Sequence, residues 1–305
     1  MITSIFSKSK PINYIIVSIL IVVAFVFKVY SDYYTPDFSY ITNGIALVLV
    51  LFSVFMTDFI ISKNELTKRN SYGIFLFGLS VLAFPEIFNN INFLIANLLI
   101  LFALRRLFSL HTKRSVNKKF FDAVFWIALA SLFHTWSILY LIVVVIALGH
   151  YWQNEGKYIA ISILAIVTVF VLLVLYNIIF KDQFLPTSNF DFGFSFDFSN
   201  YNSPSKIVRF TIVIAIFIWS LVYYIKVSGE KNKKLQPIIG LLILSAFIAL
   251  VIALFATNKT GNEAIFFIMP FSIIVANYIE TIKEIWFREA FVGLLIALPI
   301  LNLVL

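Results

Sequence analysis

The chain reads as an all-α, polytopic transmembrane helix bundle of about 11 spans, because apolar stretches near spanning length follow one another along it. Of its 305 residues, 61% are hydrophobic and 12% charged, whereas an ordinary soluble domain carries about 25% charged residues. Lys and Arg gather in every second gap between the apolar stretches, the pattern left by membrane insertion with basic loops inside. Composition also excludes whole classes of chemistry. The chain has no Cys, which removes disulfides, thiolate metal sites and thiol catalysis. Its formal charge of +8 sits in short interhelical loops, where it orients spans and does not call for nucleic acid.

A crossing needs about 20 apolar residues, fewer where the bilayer thins. Spans are expected near 12–30, 40–61, 71–86, 91–107, 120–133, 136–151, 158–180, 207–226, 237–257, 264–281 and 288–305. The first follows a short basic stretch, Met1 to Lys10, and lacks a small-residue cleavage site, so it reads as an uncleaved anchor. Lys63, Lys68, Arg69, Arg105, Arg106, Lys113, Arg114, Lys118, Lys119, Lys157, Lys226, Lys231, Lys233, Lys234, Lys283 and Arg288 all fall on the side of Lys8 and Lys10. That side is cytoplasmic by the positive-inside rule, which places the N-terminus inside and the C-terminus outside. With no repeat, linker or composition shift in view, residues 1–305 read as one integral domain.

Two neighbouring pairs of spans, 71–107 and 120–151, must each cross twice in roughly 31 to 37 residues, against about 40 for two full helices. Tight hairpins with tips sunk below the outer surface would satisfy that length. Irregular backbone at such depth needs protein or water to satisfy it, so sunken tips imply a cavity. The first tip carries Phe84, Pro85, Glu86, Ile87, Phe88, Asn89 and Asn90; the second carries His134, Thr135 and Trp136.

The only sizeable loop, 181–206, alternates Phe190, Phe192, Phe194, Phe196 and Phe198 with Asp191, Gly193, Ser195, Asp197 and Ser199. An extended segment of that period shows one all-Phe face and one small, acidic face. It suits a lid, a sugar-stacking platform or an edge that pairs with a partner strand. It equally suits a loop resting its Phe face on the bundle or in the interface. Glu86, His134 and Arg209 are the outer-side titratable residues nearest predicted helix ends. Charge at membrane depth is costly enough to be read as functional first. Together they offer an acid/base pair and a planar fork for phosphate or pyrophosphate. The plainer alternatives are an Arg209 that snorkels to head groups and a His134 that caps a turn.

At the inner ends, Asp58 or Asp122 with Arg105 or Arg106 would tie helices together, and the run from Arg105 to Lys119 is also a candidate head-group site. Asn97 and Asn277 lie inside spans as interhelical hydrogen-bonding groups, and Pro270 is placed to kink its helix. No nucleotide loop, dinucleotide fingerprint, paired-histidine metal motif or nucleophile elbow occurs, so neither cofactor nor metal is expected.

The segment ALASLFHTWSILYLIVV, residues 128–144, resembles the Phe-His-containing span of exopolysaccharide and O-antigen polymerases, and SDYYTPDFSY, residues 31–40, is similar to their first outer loop. That resemblance, over about a tenth of the chain, implies an integral-membrane glycan polymerase acting on polyprenyl-diphosphate-linked sugars at the outer face. His134 would match the family histidine and Asp32 or Asp37 its acid, while of the family's outer-loop arginines only Arg209 has a proposed match. Through ALRRLFSL, FDAVFWIALASLF and MPFSIIVANYIE the chain more closely resembles an uncharacterised polytopic membrane family of Bacteroidota, which implies an inner-membrane location and supplies no activity. Three functions are compatible with these readings. The first is an outer-facing enzyme of lipid-linked glycan assembly using Glu86 or Asp32, His134 and Arg209, with Phe192, Phe194 and Phe196 against substrate. The second is a non-enzymatic subunit of an envelope export or assembly complex, and the third is a transporter or lipid flippase gated by the short hairpins. Membrane lipid is a partner in each.

Overall fold

The computed structural model describes residues 2–33, 39–151, 156–184, 193–228, 235–257 and 259–304. Among them are twelve α-helices and no strand: α1 Ile2–Phe6, α2 Pro11–Asp32, α3 Tyr40–Asn64, α4 Tyr72–Ala83, α5 Ile91–Phe108, α6 Val116–Phe133, α7 Leu141–Tyr151, α8 Lys157–Lys181, α9 Pro204–Ser228, α10 Gln236–Phe255, α11 Ala264–Thr281 and α12 Ile285–Val304. Every apolar segment expected to cross the bilayer falls on a helix. Seven stretches are long and apolar enough to cross a membrane among the described residues, and two, Tyr72–Ala83 and Thr135–His150, are shorter. Apolar helices of this number and length make the chain a multi-pass membrane protein.

Local chemistry explains where helices start and stop. Pro11 opens α2, where its missing N–H costs nothing. Glu65 ends α3 with φ 51° and returns its N–H to Ile61 O, and Asp182 ends α8 likewise with φ 51°. Phe84 ends α4 because Pro85 disfavours helical backbone in the residue before it. The chain then turns through a short 3-10 helix, Pro85–Asn89. His134 breaks α6 with extended backbone, φ −143° and ψ 106°, ahead of a second 3-10 helix, Thr135–Tyr140. Each of the two short pairs inferred from length is thus interrupted at its expected tip by a short 3-10 turn.

The chain divides into two compact units, each interleaved along the sequence. The first comprises residues 1–94, 197–231 and 258–305. Its centre is α4, which packs on α2, α3, α11 and α12, while α11 packs on α9. Eleven of the 12 residues of α4 are buried, as is the unbroken run Ile265–Ile279 of α11. A helix apolar all round belongs at the centre of such a unit. Pro270 lies within α11, which continues past it. Helix α1 docks on this unit: Phe6 stacks on Phe75 at 4.0 Å, Thr3 bonds Glu289 through both N and Oγ1, and the Tyr72 hydroxyl donates to Thr3 O. Asn277, expected to bond a neighbouring helix, instead donates to Leu66 O at 3.0 Å, in the turn after α3, and to Ile273 O of its own helix at 2.8 Å.

The second unit comprises residues 95–196 and 232–257. Helix α6 packs on α8, α7 and the 135–140 turn, and α10 packs on α7 and the same turn. Helix α8 is apolar all round, yet only a thin stripe is buried: Ala165, Val169, Leu173 and Asn177. Its remaining apolar surface is the kind that lipid covers. The expected inner tie is present as Arg106–Asp122 at 2.8 Å, whereas Asp58 bonds the Tyr14 hydroxyl at 2.8 Å and not an arginine. Lys119 donates to Ser109 O and Thr112 Oγ1, closing the turn after α5.

Candidate functional site

In the first unit, three connections meet in one polar cluster: the tip after α4, residues 198–203 before α9, and residues 259–263 before α11. The centre of the cluster is Glu86 with Arg209. Arg209 Nη2 donates to Glu86 Oε1 at 2.8 Å and Nη1 to Oε2 at 3.3 Å, the parallel pairing that carboxylate and guanidinium favour. Nη1 also donates to Ala83 O, Nε donates to Ser205 O at 3.4 Å, and the guanidinium carbon lies 5.4 Å from the centre of the Phe84 ring. The Arg209 side chain is 3% exposed and that of Glu86 20%. Helix ends freed by the Phe84–Pro85 break thus supply both a carboxylate and a spare carbonyl to one buried cation.

A second carboxylate stands behind the first. Glu263 is fully buried at the start of α11 and accepts from Thr260 N at 3.2 Å, Gly261 N at 2.9 Å and the Tyr201 hydroxyl at 3.0 Å. Burial outweighs these bonds and raises its carboxyl above the ordinary range; burial, reinforced by the charge of Glu263, raises Tyr201 too. Gly261 has φ +98°, and a Cβ there would stand 3.2 Å from Glu86 Cβ. The turn pinned by Glu263 is therefore the wall against which Glu86 rests. Lys259, also buried, places its ammonium 4.7 Å from the centre of the Phe198 ring. Phe210 joins the walls, 4.9 Å from Phe84 and 5.0 Å from Tyr201 between ring centres.

Directly beside the ion pair is a small apolar crevice of about 10 Å³, room for no more than one water, lined by Leu76, Leu79, Ser80, Ala83, Val213, Phe271, Leu295 and Leu298. Ala83 belongs to both places, since its carbonyl binds Arg209. Val213 lies one helical turn beyond Arg209 on α9. Charge and apolar space are thus joined within one turn.

His134, Phe194 and Phe196 lie in the second unit. Burial pushes the His134 imidazole down to about 4, so it is neutral at physiological pH. Of the alternating Phe residues, Phe194 packs edge-on against Trp136 at 5.0 Å and Phe196 against Phe255 at 5.7 Å, while Ser195 N bonds Phe255 O. Phe194 and Phe196 thus each touch one ring of the unit and remain 71% exposed. Asp37 and Phe192 lie outside the described residues, and so does the side chain of Asp32, the last residue of α2. No group of three or more potential metal ligands occurs among the described residues.

Sequence reasoning found Glu86 and Arg209 and missed Glu263, Tyr201, Gly261 and Lys259. The available signal was the segment TNKTGNE, residues 257–263, where a Gly-Asn turn and an acid precede an apolar helix. The Ala83 and Ser205 carbonyls have no signature at all in side-chain identity.

No curated protein and no solved structure matches the chain. A family model covers residues 1–303, and the chain belongs to that family, the family of unknown function DUF6427.

Proposed function

We propose that the protein handles an amphiphile with an anionic head group at the Glu86–Arg209 centre, in the transfer or polymerisation of polyprenyl-linked glycans at the outer face of the inner membrane. The proposal takes the chain to cross about 11 times with its N-terminus in the cytoplasm, following its basic loops. The observation that carries it is the crevice that shares Ala83 with the arginine fork. An apolar lining against a guanidinium matches the chemistry of a prenyl chain beside a phosphate or diphosphate, and in this reading the crevice widens to admit the chain.

Entry of such a ligand proceeds by exchange. A diphosphate oxygen takes the fork as the Glu86 carboxylate leaves it, so Arg209 is never unpaired at low dielectric, where a lone charge is costly. The released carboxylate is then a base beside the bound head group. The protein in nanodiscs is tested with farnesyl diphosphate, inorganic pyrophosphate and farnesol. The diphosphate lipid is expected to raise the unfolding temperature more than either fragment, and Arg209→Ala is expected to abolish that rise. Equal effects from farnesol and farnesyl diphosphate, or no dependence on Arg209, would overturn the reading. In cells, loss of surface glycan on Arg209→Ala at normal protein level is the matching result.

A second reading is favoured by the occupancy of the fork, since Nε, Nη1 and Nη2 all have partners in the protein. In that reading the pair is a permanent tie, and the chain is a non-enzymatic subunit of an envelope export or assembly complex. Its mark is a stable co-purifying membrane protein, with no response to farnesyl diphosphate.

A further inference from the structure

The polar cluster of the first unit holds a buried carboxyl group whose hydrogen-bond donors are all neutral. Glu263 is fully buried just before α11, and it accepts from Thr260 N at 3.2 Å, Gly261 N at 2.9 Å and the Tyr201 hydroxyl at 3.0 Å. The neighbouring cations are engaged elsewhere. Arg209 commits Nη1 and Nη2 to Glu86 and Ala83 O, and Nε to Ser205 O. Lys259 places its ammonium 4.7 Å from the centre of the Phe198 ring, and its charge acts on Asp197, whose carboxyl is lowered first by its bonds to Ser199 and then by Lys259. A buried carboxylate without a cation is costly enough that it takes up a proton instead.

The surroundings of Glu263 accept that proton and join it to the ion pair. A phenol both donates and accepts, so the 3.0 Å contact with Tyr201 suits the carboxylate as acceptor and the carboxylic acid as donor without either side chain moving. Burial raises the Glu263 carboxyl in spite of its bonds to Thr260, Tyr201 and Gly261. Glu263 also fixes Gly261, where an added Cβ would stand 3.2 Å from Glu86 Cβ. Tyr201 packs on Phe210 with 5.0 Å between ring centres, Phe210 packs on Phe84 at 4.9 Å, and the Phe84 ring centre lies 5.4 Å from the Arg209 guanidinium carbon. Burial raises Tyr201 first, Glu263 next and the charge of Glu86 last. Both carboxylates therefore act on one phenol.

We propose that Glu263 is a proton-binding site that gates the Glu86–Arg209 fork. With the proton on Glu263, an anionic head group displaces Glu86 from Arg209; with Glu263 ionised, a second negative charge in the same enclosure opposes that exchange. The charged and titratable groups around the switch are Tyr201 and Lys259 from the segments before α9 and α11, Glu86 from the tip after α4, and Arg209 from α9. Only a proton moves, from solvent onto the Glu263 carboxylate and back. By linkage, an anion that favours protonated Glu263 strengthens proton binding there by the same factor. The gating rests on the reading of Arg209 as a fork for diphosphate, whereas proton binding at Glu263 does not.

The full chain in nanodiscs is titrated with pH while infrared difference spectra follow the carboxylic-acid carbonyl band, and Glu263→Gln identifies the part that Glu263 contributes. That band is expected to persist above the ordinary glutamate range. Glu86→Gln removes a negative charge and frees the fork, so it should move the midpoint down; Tyr201→Phe removes a donor to the charged form, so it should move the midpoint up. Should Glu263→Gln fail to fold, the upward move in Tyr201→Phe identifies the band. Absence of a Glu263 band above that range, or a midpoint unmoved by both neighbours, overturns the proposal. Binding of farnesyl diphosphate is then measured over the same pH range. Its affinity should weaken by up to about tenfold per pH unit above the Glu263 midpoint, and Glu263→Gln, which leaves the ligand's own titration in place, should lose that dependence. The same pH dependence in Glu263→Gln as in the native chain overturns the gating. Failure of farnesyl diphosphate to bind at any pH, with the infrared shifts present, refutes the diphosphate reading of Arg209 and leaves the proton site standing.

Discussion

Replacing Glu86 with Gln isolates the charge at the centre of the first unit. Gln keeps the shape and one amide oxygen for the fork, so the variant leaves Arg209 charged, 3% exposed, and short of its only anionic hydrogen-bond partner among the described residues. Breaking a buried pair by removing one partner costs about 3–5 kcal/mol. The carbonyls of Ala83 and Ser205 still accept from Arg209, and the retained amide oxygen keeps one bond, which brings the expected loss to about 2–3 kcal/mol. Arg209→Met is milder, at about 1–2 kcal/mol, because Glu86 is 20% exposed and can regain water. The double variant should lose less than the sum, with a coupling energy of about 1–3 kcal/mol. Reversible unfolding in mixed micelles measures all three. A Glu86→Gln loss within about 0.5 kcal/mol would refute the reasoning, because that is the behaviour of a solvated surface pair.

Arg106→Gln is the natural contrast, since the Arg106 and Asp122 side chains are 40% and 30% exposed; the same unfolding assay should show a loss below about 1 kcal/mol. Gly261→Ala should cost about 1–3 kcal/mol, because its φ of +98° strains any L side chain; an unchanged unfolding midpoint would contradict that backbone. His134, at about 4 in the folded chain against 6.5 when free, binds its proton more readily unfolded. Stability should therefore rise with pH between about 4 and 6.5. A His134→Gln variant should flatten that limb of a pH-stability curve. Glu263 acts in the opposite sense, since its raised carboxyl binds the proton more tightly when folded. Its contribution is complete below the ordinary glutamate range and is lost as pH rises through the elevated folded value. Stability measured above that range should fall with pH, and Glu263→Leu should remove the slope.

The helices were legible because membrane helices announce themselves through uninterrupted hydropathy, which needs no knowledge of partners. The tips were legible from length alone: α4, with 12 residues, is too short to cross unaided. The interleaving of two units was not, since it rests on contacts as distant in sequence as Thr3 and Glu289 or Asn70 and Glu280. Asn177 was invisible for a different reason. On a helix apolar all round, the usual moment that separates core from surface vanishes, because lipid and protein interior demand the same side chains. The Phe alternation gives an extended segment one apolar side, but period two cannot say whether a ring meets a ligand or, as with Phe196 and Phe255, a neighbouring helix.

The order of synthesis imposes a wait on the central pair. Glu86 emerges 123 residues before Arg209, which at about 5–20 residues per second amounts to roughly 6–25 s. For that interval its carboxylate lacks the Arg209 guanidinium and must find water or another partner. Synthesis of the tip after α4 therefore precedes its electrostatic closure, which waits for α9.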